Sequence, residues 1–409
     1  MSEDSKGADR PASVVSGWDS YVDALRLLPD KALALMPDDF QSDPLVQQET
    51  AALVLSLIAR KNLELLARDP DAPMFVPTLN ILMRTGQPNP DATYRTAMIG
   101  PGGTYRITGR RGSLHRFLIT QQIPPADRTI EDATYGNVTS GPELDMSTIS
   151  VDADDRYDLL VSPANPQDYE GDWWQLDPRC NCLLVRLISA DWYNEVDPTL
   201  VIERVDRPIG HRRPAPTVGE TRLGNLSVVI PSQATRYSRV FETYRSQGWI
   251  NQIRAVNLLV PRGEGNFYLE GSYELAEDEA LIFETDVPKT CGYWVFWLIN
   301  AVYETKEWLN HQSHLNHAQA PVDADGKLRM VISAKDPGIP NWLDTAYYPI
   351  GMIQGRWFEA DSCPVPSVTK IKVSDVRRHL PPETPAISLE ERQDVLRRRR
   401  RALMQRPIW

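Results

Sequence analysis

The sequence predicts a mainly β protein of two related β-sandwich or jelly-roll-like domains, with helices near both ends and one in the linker. Three features predict this fold: short apolar runs between turn residues, 33 prolines in 409 residues, and an internal repeat. Proline interrupts helices and central strands, so frequent proline favours short strands joined by loops. The 42% of apolar residues, including 11 Trp, can fill a large core and exclude a wholly disordered chain.

The charge and the terminal segments narrow the class of protein. A net charge of −11 argues against a nucleic-acid-binding surface over the protein as a whole. Residues 1–10 are polar and lack the apolar run of a signal peptide, and the apolar stretch 291–302 is too short to span a bilayer. Four cysteines are too few for a disulfide scaffold, and the pair Cys180 and Cys182 predicts reduced, packed thiols. We therefore expect a cytoplasmic protein.

The elements divide the chain into five expected parts. Helical spacing predicts helices over residues 18–25 (capped by Ser16), 47–67 and 237–244, and Ser388 with Glu391 forms a capping box for a last helix. The proline-rich residues 208–216 predict a stiff linker. The parts are a helical segment (1–70), a first β domain (71–207), a linker with a helix (208–249), a second β domain (250–375) and a tail with an arginine-rich helix (376–409).

The internal repeat is the most informative feature. Residues 151–162 and 322–333 both begin Val-Asp-Ala-Asp, which predicts a tight turn, and continue as an apolar strand. Each copy continues with a proline, a tryptophan segment and an arginine on an apolar run, Arg186 or Arg356. A Gly-x-aromatic-x-aliphatic-x-Gly match between residues 103–109 and 265–271 extends the repeat upstream if nine residues are inserted. The run 293–299 is apolar on both faces and predicts a central, covered strand.

Part of the chain resembles a known family. Asp323-Ala-Asp-Gly326, residues 336–345 and Gly355-Arg-Trp357 resemble the bacterial domain of unknown function 1214, commonly found with a relative numbered 1254. The pairs Leu315-Asn316, Gln319-Ala320 and Tyr94-Arg95, with Asn89-Pro-Asp91, fit the same pattern. The resemblance covers about residues 250–360 and, more loosely, 70–206. It implies a mostly β, jelly-roll-like fold in bacteria and no particular reaction.

The arginines of the two copies have two interpretations. A buried guanidinium needs a partner, so Arg186 with Asp177 and Arg356 with Asp344 can be structural clamps between a loop and a strand. Alternatively, Arg356 binds an anionic group of a substrate beside a catalytic Asp344. Three aromatic side chains would then line the pocket, although they can equally be ordinary core residues: Trp342, Trp357 and Tyr303.

A second candidate lies before the first strand. Asn89-Pro-Asp91 is first a turn signal, and Asp91 with Tyr94 is also a candidate acid/base pair. The catalytic candidates are therefore Asp344, Asp91 and Tyr94. The substrate-binding candidates are Arg356, Trp342, Asn341, Asn316, Gln319, Tyr303 and Asn89.

Three other patterns are weaker evidence for a functional site. His311, His314 and His317 would approach one metal on a helix, but the surrounding Asn, Ser and Pro favour a loop, so we predict no metal site. Asp323 and Asp325 predict a hairpin turn rather than a calcium loop. The five arginines 397–401 are either a solvated helix end or a surface for a partner.

These observations leave three functions open. We expect an enzyme that acts on a small organic molecule, anionic or amphipathic, in catabolism. The alternatives are a non-catalytic binder of a small molecule or glycan, and an assembly partner that uses the arginine-rich helix. The sequence predicts a small-molecule partner, no nucleic acid and no membrane span. It names no cofactor and leaves a homo-oligomer open.

Overall fold

A computed structural model describes residues 12–124, 139–210, 216–256 and 265–407. The predicted class is confirmed: the described residues form four β-sheets, with helices at both ends and between the two halves. The helices are α1 Trp18–Arg26, α2 Leu28–Leu33, α3 Asp38–Gln41, α4 Pro44–Leu66, α5 Pro216–Ser238, α6 Val240–Ser246, α7 Val376–His379 and α8 Leu389–Gln405.

The strands fall into two sets of nine. The first set is β1 Val76–Leu79, β2 Ala92–Met98, β3 Tyr105–Arg110, β4 Arg116–Ile123, β5 Thr139–Asp145, β6 Arg156–Ser162, β7 Asp172–Gln175, β8 Cys182–Ile188 and β9 Val201–Arg204. The second set is β10 Gln252–Val256, β11 Phe267–Glu274, β12 Glu279–Asp286, β13 Tyr293–Ile299, β14 His314–Asn316, β15 Lys327–Ser333, β16 Trp342–Asp344, β17 Ile350–Phe358 and β18 Ser367–Lys372.

Each set forms a sandwich of a five-stranded and a four-stranded sheet. The five-stranded sheets have the orders β1-β2-β8-β4-β5 and β10-β11-β17-β13-β14. The four-stranded sheets have the orders β7-β6-β3-β9 and β16-β15-β12-β18. The nine strands therefore correspond one to one, and in both copies the tryptophan-bearing strand is parallel to its neighbour. This correspondence fits a duplicated domain.

The turn of the repeat is equivalent in the two copies, but the upstream glycine match is wrong. Asp155 and Gly326 occupy the same turn position with φ of 62° and 81°, the left-handed region that glycine adopts most easily. Each turn leads into its strand rather than joining two paired strands, so it is not a hairpin. The glycine motif falls on β3 in one copy and on β11 in the other, which lie in non-equivalent sheets. The counterpart of β3 is β12, so no nine-residue insertion is needed.

The helices agree with the prediction in place but not in every detail. Ser16 does not cap α1: Gly17 is the N-cap residue, and the Ser16 hydroxyl donates to Glu220 at 2.5 Å. The linker helix begins much earlier than predicted, at Pro216, and residues 211–215 of the expected linker lie outside the described residues. The capping box of Ser388 and Glu391 is confirmed.

The core has three main parts. Each sandwich has its own apolar interior, and a third cluster joins helices α1, α2, α4, α5 and α6 to both five-stranded sheets. Strand β13 is covered on both faces, as predicted: Trp294 and Phe296 face the sandwich interior, whereas Val295 and Trp297 face the third cluster. It lies beside the central strand β17 rather than at the centre. The two sandwiches therefore share a buried junction.

Helix α8 is fastened to the sandwiches by three buried arginines. Arg392, Arg399 and Arg406 follow at intervals of seven residues and are 2%, 3% and 8% exposed. Arg392 binds Asp336 at 2.8 Å and lies over the Trp342 ring. Arg406 forms two bonds with Asp197, at 2.9 and 3.0 Å, and donates to a backbone carbonyl in each of β8 and the turn before β2.

The arginine run is therefore only partly a solvated helix end. Arg397, Arg398, Arg400 and Arg401 are exposed, but Arg399 is buried and donates to His314 Nδ1 at 2.9 Å and Gln319 Oε1 at 3.0 Å. Its guanidinium also lies 4.8 Å from the centre of the Trp192 ring. The burial follows from the seven-residue spacing, which places Arg399 on the same helix face as Arg392 and Arg406.

We predict that Arg399→Ala lowers the free energy of unfolding by about 3 kcal/mol, because it leaves His314 and Gln319 without their buried donor. Arg398→Ala is the matched control, since this neighbouring arginine is exposed. It should change the free energy of unfolding by less than about 0.5 kcal/mol. Urea unfolding of the two variants measures both effects, and equal midpoints would contradict a fastening role for Arg399.

Candidate functional site

Asp91 lies at the junction of the two sandwiches and is completely buried. Its Oδ1 accepts from Trp192 Nε1 at 2.8 Å and His314 Nε2 at 2.9 Å. Its Oδ2 accepts from Tyr293 Oη at 2.5 Å and Asn316 Nδ2 at 2.9 Å. Trp192 belongs to the first half of the chain and the other three donors to the second. One carboxylate therefore joins both halves.

The hydrogen bonds fix the charge state of this network. Arg399 donates to His314 Nδ1, so His314 is neutral and carries its proton on Nε2. Burial lowers the pKa of His314, and Arg399 lowers it further against the opposing effect of Asp91. Burial alone would raise the pKa of Asp91, but His314 and the hydrogen bonds from Tyr293 and Asn316 hold it below its ordinary value. Asp91 is therefore ionised at neutral pH.

This arrangement corrects the prediction of an acid/base pair. A carboxylate offers about four acceptor positions, and all four on Asp91 are used by protein donors, so it cannot take a proton from a substrate. Tyr94 Oη instead accepts from the backbone of Asn89 at 3.2 Å. Three predicted binding residues join Asp91 here as structural parts of the network. Asn89 donates to Tyr293 Oη, Asn316 donates to Asp91, and Gln319 accepts from Arg399.

The predicted clamps do not form. Asp344 binds His311 Nδ1 at 2.7 Å and the backbone of Ala346 at 2.7 Å, whereas Arg356 donates to Gln354 and to the carbonyl of Gly355. In the first copy, Arg186 binds Glu143 at 2.6 Å, and Asp177 binds Arg179.

Most of the residues predicted to line a pocket around Arg356 lie elsewhere. Trp357 points to the other face of β17, into the sandwich interior, and Trp342 lies against Arg392. The amide of Asn341 donates to the carbonyls of Pro321 and Arg329. Burial raises the pKa of Tyr303, and the nearby charge of Arg356 opposes this rise only in part. The guanidinium of Arg356 is packed between Tyr268 and Trp297, 4.0 and 4.8 Å from the ring centres.

The three clustered histidines diverge. His311 binds Asp344, His314 binds Asp91, and the His317 ring lies 5.3 Å from that of His115. Asp323 and Asp325 both pair with Arg329 at 2.7 Å, which explains the turn without a calcium ion. Across residues 12–124, 139–210, 216–256 and 265–407, no three His, Cys, Asp or Glu side chains converge as metal ligands.

The loop after β13 is held by a segment from the first half of the chain. Gly86 donates to Tyr303 O at 3.0 Å, Thr305 donates to Arg84 O at 3.1 Å, and the Thr305 hydroxyl donates to Pro88 O at 2.7 Å. The backbone of Lys306 then returns to β13 through a bond to Leu298 O at 3.0 Å. These bonds fix the loop in a region close to the Asp91 network.

Lys306, in this loop, is 1% exposed. Its Nζ has neither a hydrogen-bond acceptor nor an ion-pair partner within the described residues. The amine lies 3.8 Å from the centre of the Tyr348 ring and 5.8 Å from that of Tyr273. The Tyr348 hydroxyl donates to Glu49 at 2.6 Å, and Asn300 donates to the other oxygen of Glu49. We call these five residues, with Glu304 and Thr345, the Lys306 cluster.

Two groups of the cluster titrate near neutrality. Burial lowers the pKa of Lys306 to about 7, against the raising effects of Glu49 and Asp344 and together with a lowering effect of Arg84. Burial raises the pKa of Glu304 to about 7, against a lowering effect of Arg84 and together with a raising effect of Glu49. Perturbed acids and bases in one place are typical of reaction sites, although ion-pair networks also produce them.

The described residues around the cluster include unpaired hydroxyls, a close backbone contact and strained backbone. The buried Tyr273 hydroxyl and Thr345 hydroxyl have no hydrogen-bond partner within the described residues. Gly351 makes room for Tyr273, since a Cβ there would lie 2.6 Å from the tyrosine hydroxyl and 2.5 Å from Ile299 O. Ala346 and Tyr347 both adopt left-handed φ values, 51° and 64°. Such residues cost about 1–3 kcal/mol each and are concentrated at functional sites.

Sequence reasoning named Asp344 and Tyr303 near this region but missed Lys306, Glu49, Tyr273 and Tyr348. One signal was present: Glu49 lies on the buried face of α4, beside Val46 and Leu53. A carboxylate on an apolar helix face indicates a buried polar partner. Lys306 gave no comparable signal, because its burial comes from segments distant in the sequence.

Comparison with solved structures supports the fold. An uncharacterized protein from Burkholderia cenocepacia is similar, with 24% sequence identity, a TM-score of 0.78, and coverage of 88% of this chain and 97% of that chain. The VPA0106 protein from Vibrio parahaemolyticus is 11% identical, with a TM-score of 0.43, and covers 85% of this chain and 100% of its own. The second likeness is too low to support an argument, and the first shows the fold alone.

No family model and no curated protein matches the chain. The resemblance to domain 1214 therefore stays a prediction. None of the helices within the described ranges combines the length and apolar character that a bilayer span requires.

We predict opposite pH dependences for two variants of the Lys306 cluster. The pKa of Lys306 is about 7 in the folded state and 10.5 ordinarily, so the wild type loses stability as pH falls from 10.5 to 7. The Lys306→Met variant does not undergo this loss. As pH falls from 10 to 7, its free energy of unfolding should therefore rise by about 3–4 kcal/mol relative to that of the wild type. The pKa of Glu304 is raised from 4.5 to about 7, so the wild type loses stability as pH rises through that window.

Glu304→Gln should therefore gain about 2–3 kcal/mol relative to wild type between pH 5 and pH 8. Urea unfolding at several pH values measures both differences. If neither difference changes with pH, the two groups have ordinary pKa values and the cluster is an inert part of the core.

Proposed function

We propose that the protein is an enzyme that acts on a small organic molecule at the Lys306 cluster. The observation that carries this proposal is the buried Lys306 amine, which contacts an aromatic ring and has no polar partner within the described residues. A lysine in this state costs stability. A purely structural role would be filled better by an apolar residue, whereas a reactive amine requires such surroundings.

The cluster supplies the parts that proton-transfer chemistry requires. Lys306 is about half neutral near pH 7, so it can accept a proton or attack an electron-poor carbon. Glu49 and Tyr348 form a hydrogen-bonded pair beside it, and the Tyr273 hydroxyl can donate to an oxygen of the substrate. Asp344, predicted as catalytic, acts on Lys306 through its charge.

The proposed reaction requires that a small molecule enter past the loop that carries Tyr348. The Tyr348 ring is half-buried and lies over the Lys306 amine, and its neighbour Tyr347 is 60% exposed. Two residues of the same loop are strained, which lowers the cost of moving it. We further propose a cytoplasmic location, which the four free cysteine thiols favour.

The test is a panel of neutral and anionic small organic compounds, examined for thermal stabilisation and for turnover. A ligand at about 100 times its Kd should add roughly 2.7 kcal/mol to stability. We expect a compound class that stabilises the wild type and is consumed, with turnover reduced at least about 100-fold in Lys306→Met. Lys372→Met, at an exposed lysine paired with Asp278, is the matched control and should retain turnover.

Two outcomes of this test point elsewhere. A compound that stabilises the wild type but is not consumed would identify a non-catalytic binder instead. Full turnover in Lys306→Met would contradict a reaction at this cluster. Arg392, Arg399 and Arg406 bind groups of their own chain, which gives the third alternative, an assembly partner that uses the arginine-rich helix, less support.

A further inference from the structure

The identity of the substrate follows from the surroundings of Lys306, if the proposed function holds. We propose that the substrate is a small aldehyde or ketone and that Lys306 Nζ forms a Schiff base with its carbonyl carbon. The inference rests on the geometry of the amine: it is buried, without a polar partner in the described residues, and bordered by two tyrosines.

Lys306 differs from Lys61, which is also buried in the described part of the chain. Lys61 is 3% exposed, similar to the 1% of Lys306, but its Nζ is 2.7 Å from the Glu64 carboxylate. A lysine that only satisfies a buried structural role is paired in this way. The lone pair of Lys306 is not committed to any group that the structure describes, so it is available to a carbon electrophile.

The charges around Lys306 favour a substrate whose reacting end is uncharged. Glu49 and Asp344 act on Lys306 against the single guanidinium of Arg84. Two carboxylates would repel an anionic group near the amine, and a half-neutral amine attracts such a group weakly. A neutral carbonyl avoids both problems, which favours an uncharged reacting end of the substrate over the anionic group predicted from the sequence.

The step balances with groups already present. Neutral Nζ attacks the carbonyl carbon, and the carbonyl oxygen takes a proton to give a carbinolamine, for which the Tyr273 hydroxyl is a nearby donor. Nζ then loses a proton to the Glu49 and Tyr348 pair, which passes it to the carbinolamine hydroxyl so that the hydroxyl leaves as water. The nitrogen lone pair forms the C=N bond, and the resulting protonated imine gives its remaining N–H proton to the Tyr273 oxygen, which restores that hydroxyl. Amine and carbonyl thus become imine and water, without an oxidant or a reductant.

The test is reductive trapping on the full-length wild-type protein. Acetaldehyde and cyanoborohydride are added at pH 7, and peptide mass mapping reports the rate of ethylation at each lysine. Surface lysines are neutral to only about one part in 10³ at this pH, so we expect Lys306 to be ethylated at least about tenfold faster than Lys370 and Lys372. Lys61 is the matched control for burial and should react slowly because of its ion pair.

Ethylation of Lys306 at a rate no greater than that of Lys61 would overturn the Schiff base. This outcome is separable from failure of the proposed function. If Lys306→Met abolishes turnover of a compound but no trapping occurs at Lys306, the lysine acts as a base without a covalent bond, and only the Schiff base falls. If Lys306→Met retains full turnover, both proposals fall.

Discussion

The buried carboxylate of Asp91 is the constraint on which the arrangement of the two sandwiches depends. Removing a carboxylate from water is costly, and four hydrogen bonds at 2.5–2.9 Å offset that cost only if all donors stay in place. Trp192 comes from one half of the chain and Tyr293, His314 and Asn316 from the other. Arg399 orients His314 from α8. Any displacement of one half would therefore leave an unpaired buried charge.

The same network holds the surroundings of Lys306. Ser313, directly before His314, accepts from Leu298 N at 2.9 Å, and the carbonyl of Leu298 accepts from Lys306 N. The segment 84–88, just before Asp91, binds the loop of Lys306 from the other side. A rigid frame of this kind can hold the buried Lys306 amine in one position.

The sequence predicted the parts of this structure that depend on local chemistry. The repeated turn could be found because Asp155 and Gly326 are residue types that tolerate a left-handed φ. The glycine match failed because its pattern fits any strand with close neighbours. Arg399 was expected in solvent because five arginines stand together, yet the seven-residue spacing from Arg392 to Arg406 was visible. Lys306 could not be found, since residues 49, 84–88 and 345–348 bury it from distant parts of the chain.

The fold keeps the Lys306 amine about half neutral near pH 7, with no ion-pair partner among the described residues. The most direct measurement is a pH titration of the lysine side-chain nitrogens by NMR on the ¹⁵N-lysine-labelled protein, with Lys306→Met for assignment. We expect one amine, absent from the variant, to titrate near pH 7. An amine of Lys306 that titrates near the ordinary value of about 10.4 would contradict the claim and make Lys306 an ordinary cation.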